Sequence, residues 1–397
     1  MTAVFMPVIV AYLRHHEGRM TTTLALLRDL VAIDSVNPSL APGHSGEAEA
    51  AACLVAFFEA HGVDVQLQEV APGRPNVVAV VEGTRPGPTF LLCGHLDTVG
   101  VDGMEAPFTP VERDGRLYGR GAQDMKSGVA ACAGVLARLA GTGLEAGRVV
   151  CAGVVDEEYA SLGAEALVRD WQADAAVVTE PTDLSVAIAH KGFAWLDVEV
   201  RGRAAHGSRP DEGRDAILRM GRLLGVLERF DAELRARPTH PLLGSGSLHA
   251  SRIEGGREMS SYPAHCRLHL ERRTVPGEDG QRALREVDEM IAALKGADRE
   301  YDAQVRLLLD RAAHAIDERA ELPQALFGLC EAAGLAATPT GMTYWTDAAI
   351  LAGAGIPTVI FGPRGAGLHS TVEYVELASV ETCEAILTDL ARRMTGV

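Results

Sequence analysis

The sequence has few basic residues for its length and no membrane-length apolar run, and each absence excludes a class of function. Its 397 residues carry 54 acidic side chains against 37 lysines and arginines, a formal net charge of -17. Because no positive surplus exists to neutralise phosphates, nucleic acid and anionic membranes are excluded as partners. The N-terminal apolar stretch, residues 4–13, is too short to span a bilayer. Residues 1–19 are interpreted as an extension ahead of a helix near Met20, and an upstream start-codon artefact is the alternative.

Cysteine pairs at the spacing of thiolate metal sites are also missing. The seven cysteines are scattered, and no two of them form a Cys-x-x-Cys pair. An odd number of isolated cysteines fits reduced, buried thiols better than a disulfide framework or a thiolate zinc site. We therefore expect a cytoplasmic protein. The glycine-rich stretch 117–128 lacks the Gly-x-x-x-x-Gly-Lys-Ser/Thr spacing, which disfavours phosphate binding there.

Length and apolar periodicity indicate two domains, because 397 residues exceed one ordinary core. Helical spacing and short apolar strands alternate in the first part, with helices predicted at 21–33 and 46–61 and strands at 76–81, 89–93, 148–155 and 175–179. From 193 to 311 the order is strand, helix, strand, strand, helix, strand, the ferredoxin-like arrangement. We predict a discontinuous α/β catalytic domain of residues 20–192 and 312–397, interrupted by an inserted domain of residues 193–311.

The stretch Leu91–Gly100 is the centre of this organisation. It is a short apolar run that ends in Gly-His-x-Asp. This pattern predicts a buried strand whose end faces a cleft, where open α/β sheets bind ligands. His95 is then a candidate metal ligand, and Asp97 can reach its other ring nitrogen and fix the tautomer. On this stretch alone, a histidine that caps a strand beside a turn aspartate is an equal alternative.

Further acids and a second histidine follow predicted strands or lie in glycine-rich loops: Asp124, Glu157, Glu158, Glu180 and His369. Carboxylate and imidazole donors without thiolate suit zinc, cobalt or manganese, and one bridging carboxylate would let five ligands hold two ions. Neighbouring side chains in extended backbone point to opposite sides. Glu157 could therefore take a proton from a bridging water while Glu158 binds metal. A solvated acidic loop and a turn histidine are the alternatives.

Together these motifs resemble the two-zinc amidohydrolase and metallopeptidase family that includes acetylornithine deacetylase, succinyl-diaminopimelate desuccinylase, aminoacylase and the glutamate carboxypeptidases. The matching stretches occur in family order at 94–99, 119–126, 156–158, 179–181, 205–210 and 369–370. The resemblance implies a zinc-peptidase-like catalytic domain with a mixed central sheet flanked by helices. It also implies that the inserted α+β domain is a lid and dimerisation domain.

The resemblance assigns a role to each candidate residue. It implies two divalent ions per chain, with zinc favoured and cobalt or manganese as alternatives. Asp124 would bridge them, with His95 and Glu180 on one ion and Glu158 and His369 on the other. Glu157 would act as general acid/base toward a metal-bridged hydroxide, supported by Asp97. His206 would reach the partner subunit's site in a homodimer and polarise the scissile carbonyl.

Substrate contacts are less well defined by the sequence. Ser260 stands where many relatives have asparagine, and Arg364 where glycine is common. Arg273 keeps the register of an arginine that can grip an α-carboxylate, and an ion pair with Glu271 or Glu278 on the lid surface is its alternative.

The leading hypothesis is a metal-dependent amidase for a small N-acyl amino acid, and a carboxypeptidase or dipeptidase is the second. A metal-free binding relative or an inert dimerisation module would require lost ligands, and none is missing.

Overall fold

The computed structural model describes residues 21–396, so the predicted extension of residues 1–19 lies outside the described residues. The chain divides into two compact units. The first holds the described residues up to Ile188, Ile316–Thr340 and those from Thr346 onward, and the second holds Ala189–Ala315 and Gly341–Trp345. The second unit thus includes the predicted insert of residues 193–311, whose lid and dimerisation roles stay predictions.

The helices and strands follow one another along both units. The helices are α1 (Thr23–Val31), α2 (Ala48–Ala60), α3 (Lys126–Thr142), α4 (Leu162–Asp170), α5 (Ala216–Arg235), α6 (Gly280–Ala297), α7 (Glu321–Ala332), α8 (Ala348–Gly353) and α9 (Leu377–Met394). The strands are β1 (Asp64–Ala71), β2 (Arg74–Glu82), β3 (Arg85–His95), β4 (Val111–Arg113), β5 (Arg116–Tyr118), β6 (Ala146–Val154), β7 (Ala175–Val178), β8 (Ala187–His190), β9 (Gly192–Arg201), β10 (Ser247–Gly255), β11 (His265–Thr274), β12 (Asp302–Arg311), β13 (His314–Ala315), β14 (Thr340–Met342), β15 (Thr358–Ile360), β16 (Gly365–Ala366) and β17 (Tyr374–Glu376).

The first unit is built on a mixed sheet, which confirms the predicted α/β fold class. Its strand order is β1-β2-β6-β3-β7-β15-β8. The four central strands β6, β3, β7 and β15 run parallel to one another. On either side the pairing is antiparallel, with β2 against both β1 and β6 and with β8 against β15. Because helices cover the sheet, the central strands are apolar along their length; residues 89–95 of β3 are all buried. The carboxyl ends of four parallel strands therefore meet at one edge.

Helix α3 approaches this edge closely because of a single glycine. A Cβ atom on Gly128 would lie 2.1 Å from the carbonyl oxygen of Thr179, a separation that no other residue type can accept. The glycine lets the first turn of α3 contact the segment that follows β7. It thereby brings Asp124, just before the helix, next to Glu180.

The second unit has the ferredoxin-like arrangement expected from the order of its elements. Its antiparallel sheet has the order β10-β11-β9-β12. Strand β9 alternates buried and less buried positions near its end, and Leu196, Val198 and Val200 face a core shared with α5 and α6. None of the helices within residues 21–396 is long and apolar enough to cross a membrane.

Candidate metal centre

The predicted ligands lie at the edge where the parallel strands end. His95 is the last residue of β3 and pairs in register with Val154, the last residue of β6. Glu158 follows β6 by four positions, and Glu180 follows β7 by two. Since the carboxyl ends of parallel neighbours coincide, side chains that are far apart in sequence become neighbours in space.

Two groups of ligand atoms form there, and Asp124 belongs to both. His95, Asp124 and Glu180 make up one group and Asp124, Glu158 and His369 the other, with the ligand atoms of each within 4.8 Å of one another. Asp124 Oδ1 lies 3.2 Å from Nε2 of His95, and Oδ2 lies 3.3 Å from Nε2 of His369. Its two oxygens therefore face different groups, as a bridging carboxylate must.

The distances and donor types fit divalent cations. Two ligand atoms that are each about 2.1 Å from one ion lie roughly 3.0 to 3.4 Å apart at the usual bond angles. His369 Nε2 is 3.2 Å from Glu158 Oε2, and the His95 Nε2 to Glu180 Oε1 separation is slightly longer at 3.7 Å. Within the described chain, the buried Glu158 Oε1 has no hydrogen-bond partner. A cation would satisfy this oxygen.

The charge of the site also calls for cations. The side chains of Glu180, Glu158, Glu157 and Asp124 are only 5%, 6%, 10% and 14% exposed. Burial raises the pKa of Glu157 well above its ordinary value, and the charge of Glu180 adds to the rise. Burial likewise raises the pKa of Glu180. Crowded, desolvated carboxylates of this kind are stable in ionised form only when positive charge neutralises them.

The two histidines supply part of that charge in the protein alone. Hydrogen bonds to Asp124 and then to Glu158 raise the pKa of His369 to about 10. Burial by itself would raise the pKa of Asp124, but hydrogen bonds from His369 and His95 hold it below its ordinary value. A bound metal ion would replace these protons, because imidazole coordinates in its neutral form.

The orientation of His95 comes from a main-chain oxygen. Its Nδ1 donates to the carbonyl oxygen of Asp97 at 2.9 Å, whereas the Asp97 carboxylate lies 3.6 Å away. The hydrogen bond predicted with the carboxylate of Asp97 is therefore made with its main-chain carbonyl oxygen instead. The consequence for the tautomer is the same: Nδ1 carries the proton and Nε2 faces the metal group.

The Asp97 carboxylate holds the glutamate pair. It is fully buried and accepts the main-chain N–H groups of Glu157 and Glu158, both at 3.1 Å. It also accepts a hydrogen bond from Asn37 Nδ2 at 2.7 Å, and the same nitrogen donates to Asp156 Oδ1 at 3.1 Å. Asp97 thus fixes the segment that presents the candidate base and a candidate ligand.

Asn37 was not predicted from the sequence. The only signal there is the Asn-Pro pair of residues 37–38, which indicates a turn and no function. A second unpredicted contact lies behind it, where Arg74 pairs with the fully buried Glu47 at 2.5 Å and with Asp156 at 3.0 Å. These contacts support Asp156, whose φ of +70° is unfavourable for a residue other than glycine.

The remaining predicted site residues do not join the two ligand groups. His206 and Ser260 belong to the second unit and are exposed; His206 Nδ1 lies 2.8 Å from Ser208 Oγ. Arg273, also of the second unit, donates from Nε to Glu271 Oε1 at 2.6 Å. That ion pair is the alternative considered for this arginine. In the first unit, Arg364 is half-exposed and 3.9 Å from a carboxylate oxygen of Glu376. Their substrate roles stay predictions.

A mixed α/β sheet with two carboxylate and histidine groups at the ends of its parallel strands is typical of a metal-dependent hydrolase. Comparison with known proteins gives the family. The profile of peptidase family M20/M25/M40 matches residues 91–393, most of the chain. The chain therefore belongs to this family, and it is a hydrolase that acts on amide bonds. The predicted resemblance is confirmed.

Two curated relatives show the family at the sequence level. An acetylornithine deacetylase of Myxococcus xanthus is 33% identical over 342 residues, which cover 83% of this chain and 87% of the relative. An N-formyl-4-amino-5-aminomethyl-2-methylpyrimidine deformylase of Halalkalibacterium halodurans is 30% identical over 417 residues, which cover 96% of each.

Solved structures show the same fold at lower identity. A tripeptidase from Staphylococcus aureus superposes with a TM-score of 0.78 at 21% identity, covering 96% of this chain and 100% of its own. A dinuclear metal-binding peptidase of the M20 family from Bacillus subtilis has a TM-score of 0.71 at 16% identity, covering 97% of this chain and 99% of its own.

Proposed function

We propose that the chain hydrolyses the amide bond of an N-acyl amino acid, in the manner of a deacetylase or desuccinylase. The observation that carries this proposal is the Asp124 carboxylate, whose two oxygens belong to two separate ligand groups. The names of the two curated relatives add support, because both describe removal of a small acyl group, acetyl in one and formyl in the other.

The ligand groups would hold two divalent cations, for which we favour zinc. When bound, such ions polarise the scissile carbonyl and lower the pKa of a water molecule. Glu157 accepts the proton of the attacking water at its carboxylate and donates it to the leaving amine nitrogen. Its Oε2 lies 4.0 Å from His95 Nε2, and its main chain is fixed by Asp97. A base held in this way keeps its geometry through both proton transfers.

The second unit completes the proposal as a lid and dimerisation domain. His206, exposed at the start of this unit, would polarise the substrate carbonyl in the partner subunit of a homodimer. Arg273 would contact the substrate carboxylate, with Ser260 and Arg364 as further contacts. We also propose a cytoplasmic location, which is supported by the burial of all seven cysteines as thiols outside any disulfide framework.

A reconstitution experiment tests the activity. The purified chain is stripped with a chelator, reloaded with Zn²⁺, Co²⁺ or Mn²⁺, and assayed with N-acetyl, N-succinyl and N-formyl amino acids and with dipeptides. We expect about two ions per chain and metal-dependent turnover of an N-acyl amino acid. Turnover of dipeptides alone would favour the carboxypeptidase or dipeptidase alternative. Two bound ions with no turnover of any of these substrates would contradict the proposal.

Glu157→Gln is the informative variant. The amide has the same shape but cannot accept the proton, so we expect turnover to fall about a hundredfold to ten-thousandfold while two ions still bind. Glu381→Gln, the same change at an exposed position of α9, is the matched control and should behave as the unmodified chain does. Substantial activity in Glu157→Gln would remove this residue from the mechanism.

A further inference from the structure

Glu373 accepts hydrogen bonds from the loop that carries Asp124. It follows His369 by four positions and is 1% exposed. Its Oε1 accepts the main-chain N–H groups of Gln123 at 2.9 Å and Asp124 at 3.0 Å, and its Oε2 accepts that of Gly121 at 3.1 Å. One buried carboxylate therefore fixes three peptide groups just before and at the candidate bridging ligand.

Arg120 extends this contact to two other segments. It is 3% exposed and donates from one terminal nitrogen to Glu373 Oε2 at 2.6 Å. Its other terminal nitrogen donates to the carbonyl oxygens of Gly100 at 3.1 Å and Ser370 at 3.0 Å. Ser370 is the neighbour of His369. The pair of Glu373 and Arg120 thus joins the segment after β3, the loop before α3 and the loop of the second histidine.

This pair lies beside the ligand groups without belonging to either of them. Burial raises the pKa of Glu373, and hydrogen bonds from Arg120 and from peptide N–H groups partly offset that rise. Both of its oxygens therefore have donors within the protein. The side chain of His369 is exposed, and its main chain has a φ of +55°. This value is unfavourable for a residue other than glycine, so surrounding contacts must maintain it. The Arg120 bond to the next carbonyl oxygen is one such contact.

We infer that Glu373 and Arg120 are positioning residues that set the relative placement of Asp124 and His369, and thereby the affinity of the chain for both metal ions. The inference rests on the proposed metal-dependent function. Both ions are affected because Asp124 is shared between the two ligand groups. A shift of its loop would misdirect Oδ1 and Oδ2 together. Outer contacts of this kind typically change metal affinity about tenfold to a hundredfold.

The test measures metal affinity independently of activity. Glu373→Gln keeps the side-chain shape but places an amide N–H₂ group among groups that are themselves donors. Metal-free protein is titrated with Zn²⁺ in competition with a chromophoric chelator, and with Co²⁺ while its visible absorption is recorded. We expect about tenfold to a hundredfold weaker binding of both ions and an altered Co²⁺ spectrum. Glu381→Gln is the control with unchanged affinity.

The outcomes separate the two proposals. If the unmodified chain binds no divalent ion, the proposed function fails. If the unmodified chain binds two ions and a folded Glu373→Gln variant binds them equally well, the inference is overturned, even if its thermal stability is lower. If Glu373→Gln does not fold, as circular dichroism would show, Arg120→Lys decides. A lysine ammonium cannot span the same three acceptors, so weakened affinity would support the inference and unchanged affinity would overturn it.

Discussion

Replacing Asp97 by asparagine tests whether its carboxylate positions the glutamate pair. Oδ2 of Asp97 accepts from Asn37 Nδ2 and from Glu158 N, and Oδ1 accepts from Glu157 N. In Asp97→Asn the amide oxygen can keep the two Oδ2 contacts, which leaves the amide nitrogen facing the Glu157 N–H. One buried donor then lacks an acceptor, a loss of about 1 to 3 kcal/mol in the free energy of unfolding.

That loss corresponds to a fall of about 2 to 12 °C in Tm for a unit of this size. We also expect kcat to fall about tenfold to a hundredfold, since the Glu157 segment is displaced. Both quantities are measured on the metal-loaded protein. The bound cations neutralise the neighbouring carboxylates there, so the loss of the Asp97 charge relieves little electrostatic repulsion. Asp64→Asn, at the exposed start of β1, is the control.

Two results would refute this reasoning. A Tm and a kcat equal to those of the unmodified chain would show that the carboxylate does not hold the glutamates. A change confined to weaker binding of one metal ion, with kcat of the reloaded enzyme intact, would mean that Asp97 acts through His95 alone, the role that its sequence position predicts.

Two further predictions concern the second unit. If Arg273 binds a substrate carboxylate, Arg273→Lys should reduce kcat/KM for an N-acyl amino acid much more than for its carboxamide. Equal losses on both substrates would mean that Arg273 does not contact the carboxylate and serves only in the ion pair with Glu271. Burial, and then the charge of His314, lowers the pKa of His190 from its ordinary 6.5 to about 3. The unfolded chain therefore binds a proton that the folded chain excludes, and stability falls as pH drops below about 6.5. His190→Phe should lose less Tm between pH 7 and pH 5; an equal loss would contradict this assignment.

The central strands were predictable because a strand buried on both faces has a continuous run of apolar residues in the sequence. The apolar run at 89–93 lies within β3, and the run at 148–155 covers β6 from its third residue to its end. The strand β1 was not predicted, because it lies at the edge of the sheet and all of its residues are exposed or only partly buried. Such a strand needs hydrogen bonds from its neighbour more than it needs apolar residues.

The candidate ligands were predictable for a different reason. Metal coordination restricts the residue types to a few, and strand ends restrict their positions. Asn37 and Glu373 carry no such signature, because their contacts come from the fold. The Asn37 side chain meets Asp97 across 60 positions, and Arg120 meets Glu373 across 253. Asparagine, arginine and glutamate are common surface residues, and only the folded chain shows that Asn37, Arg120 and Glu373 are buried.

The buried acids of this site fall into two kinds, according to what satisfies their oxygens. Asp97 and Glu373 accept main-chain N–H groups and a side-chain donor each, so donors of the protein itself contact their oxygens. Asp124 instead faces two imidazoles, and Glu158 keeps a buried oxygen without a partner in the described chain. Because a buried carboxylate oxygen without a donor is costly, Glu158 needs an outside cation, and Asp124 is satisfied without one only by the two histidines. Asp97 and Glu373 instead fix the backbone around the ligands. All of these residues are buried acids, so burial and residue type do not distinguish them. The partners of their carboxylate oxygens do: positioning residues accept main-chain N–H groups, whereas candidate ligands face imidazoles or have an oxygen with no partner in the described chain.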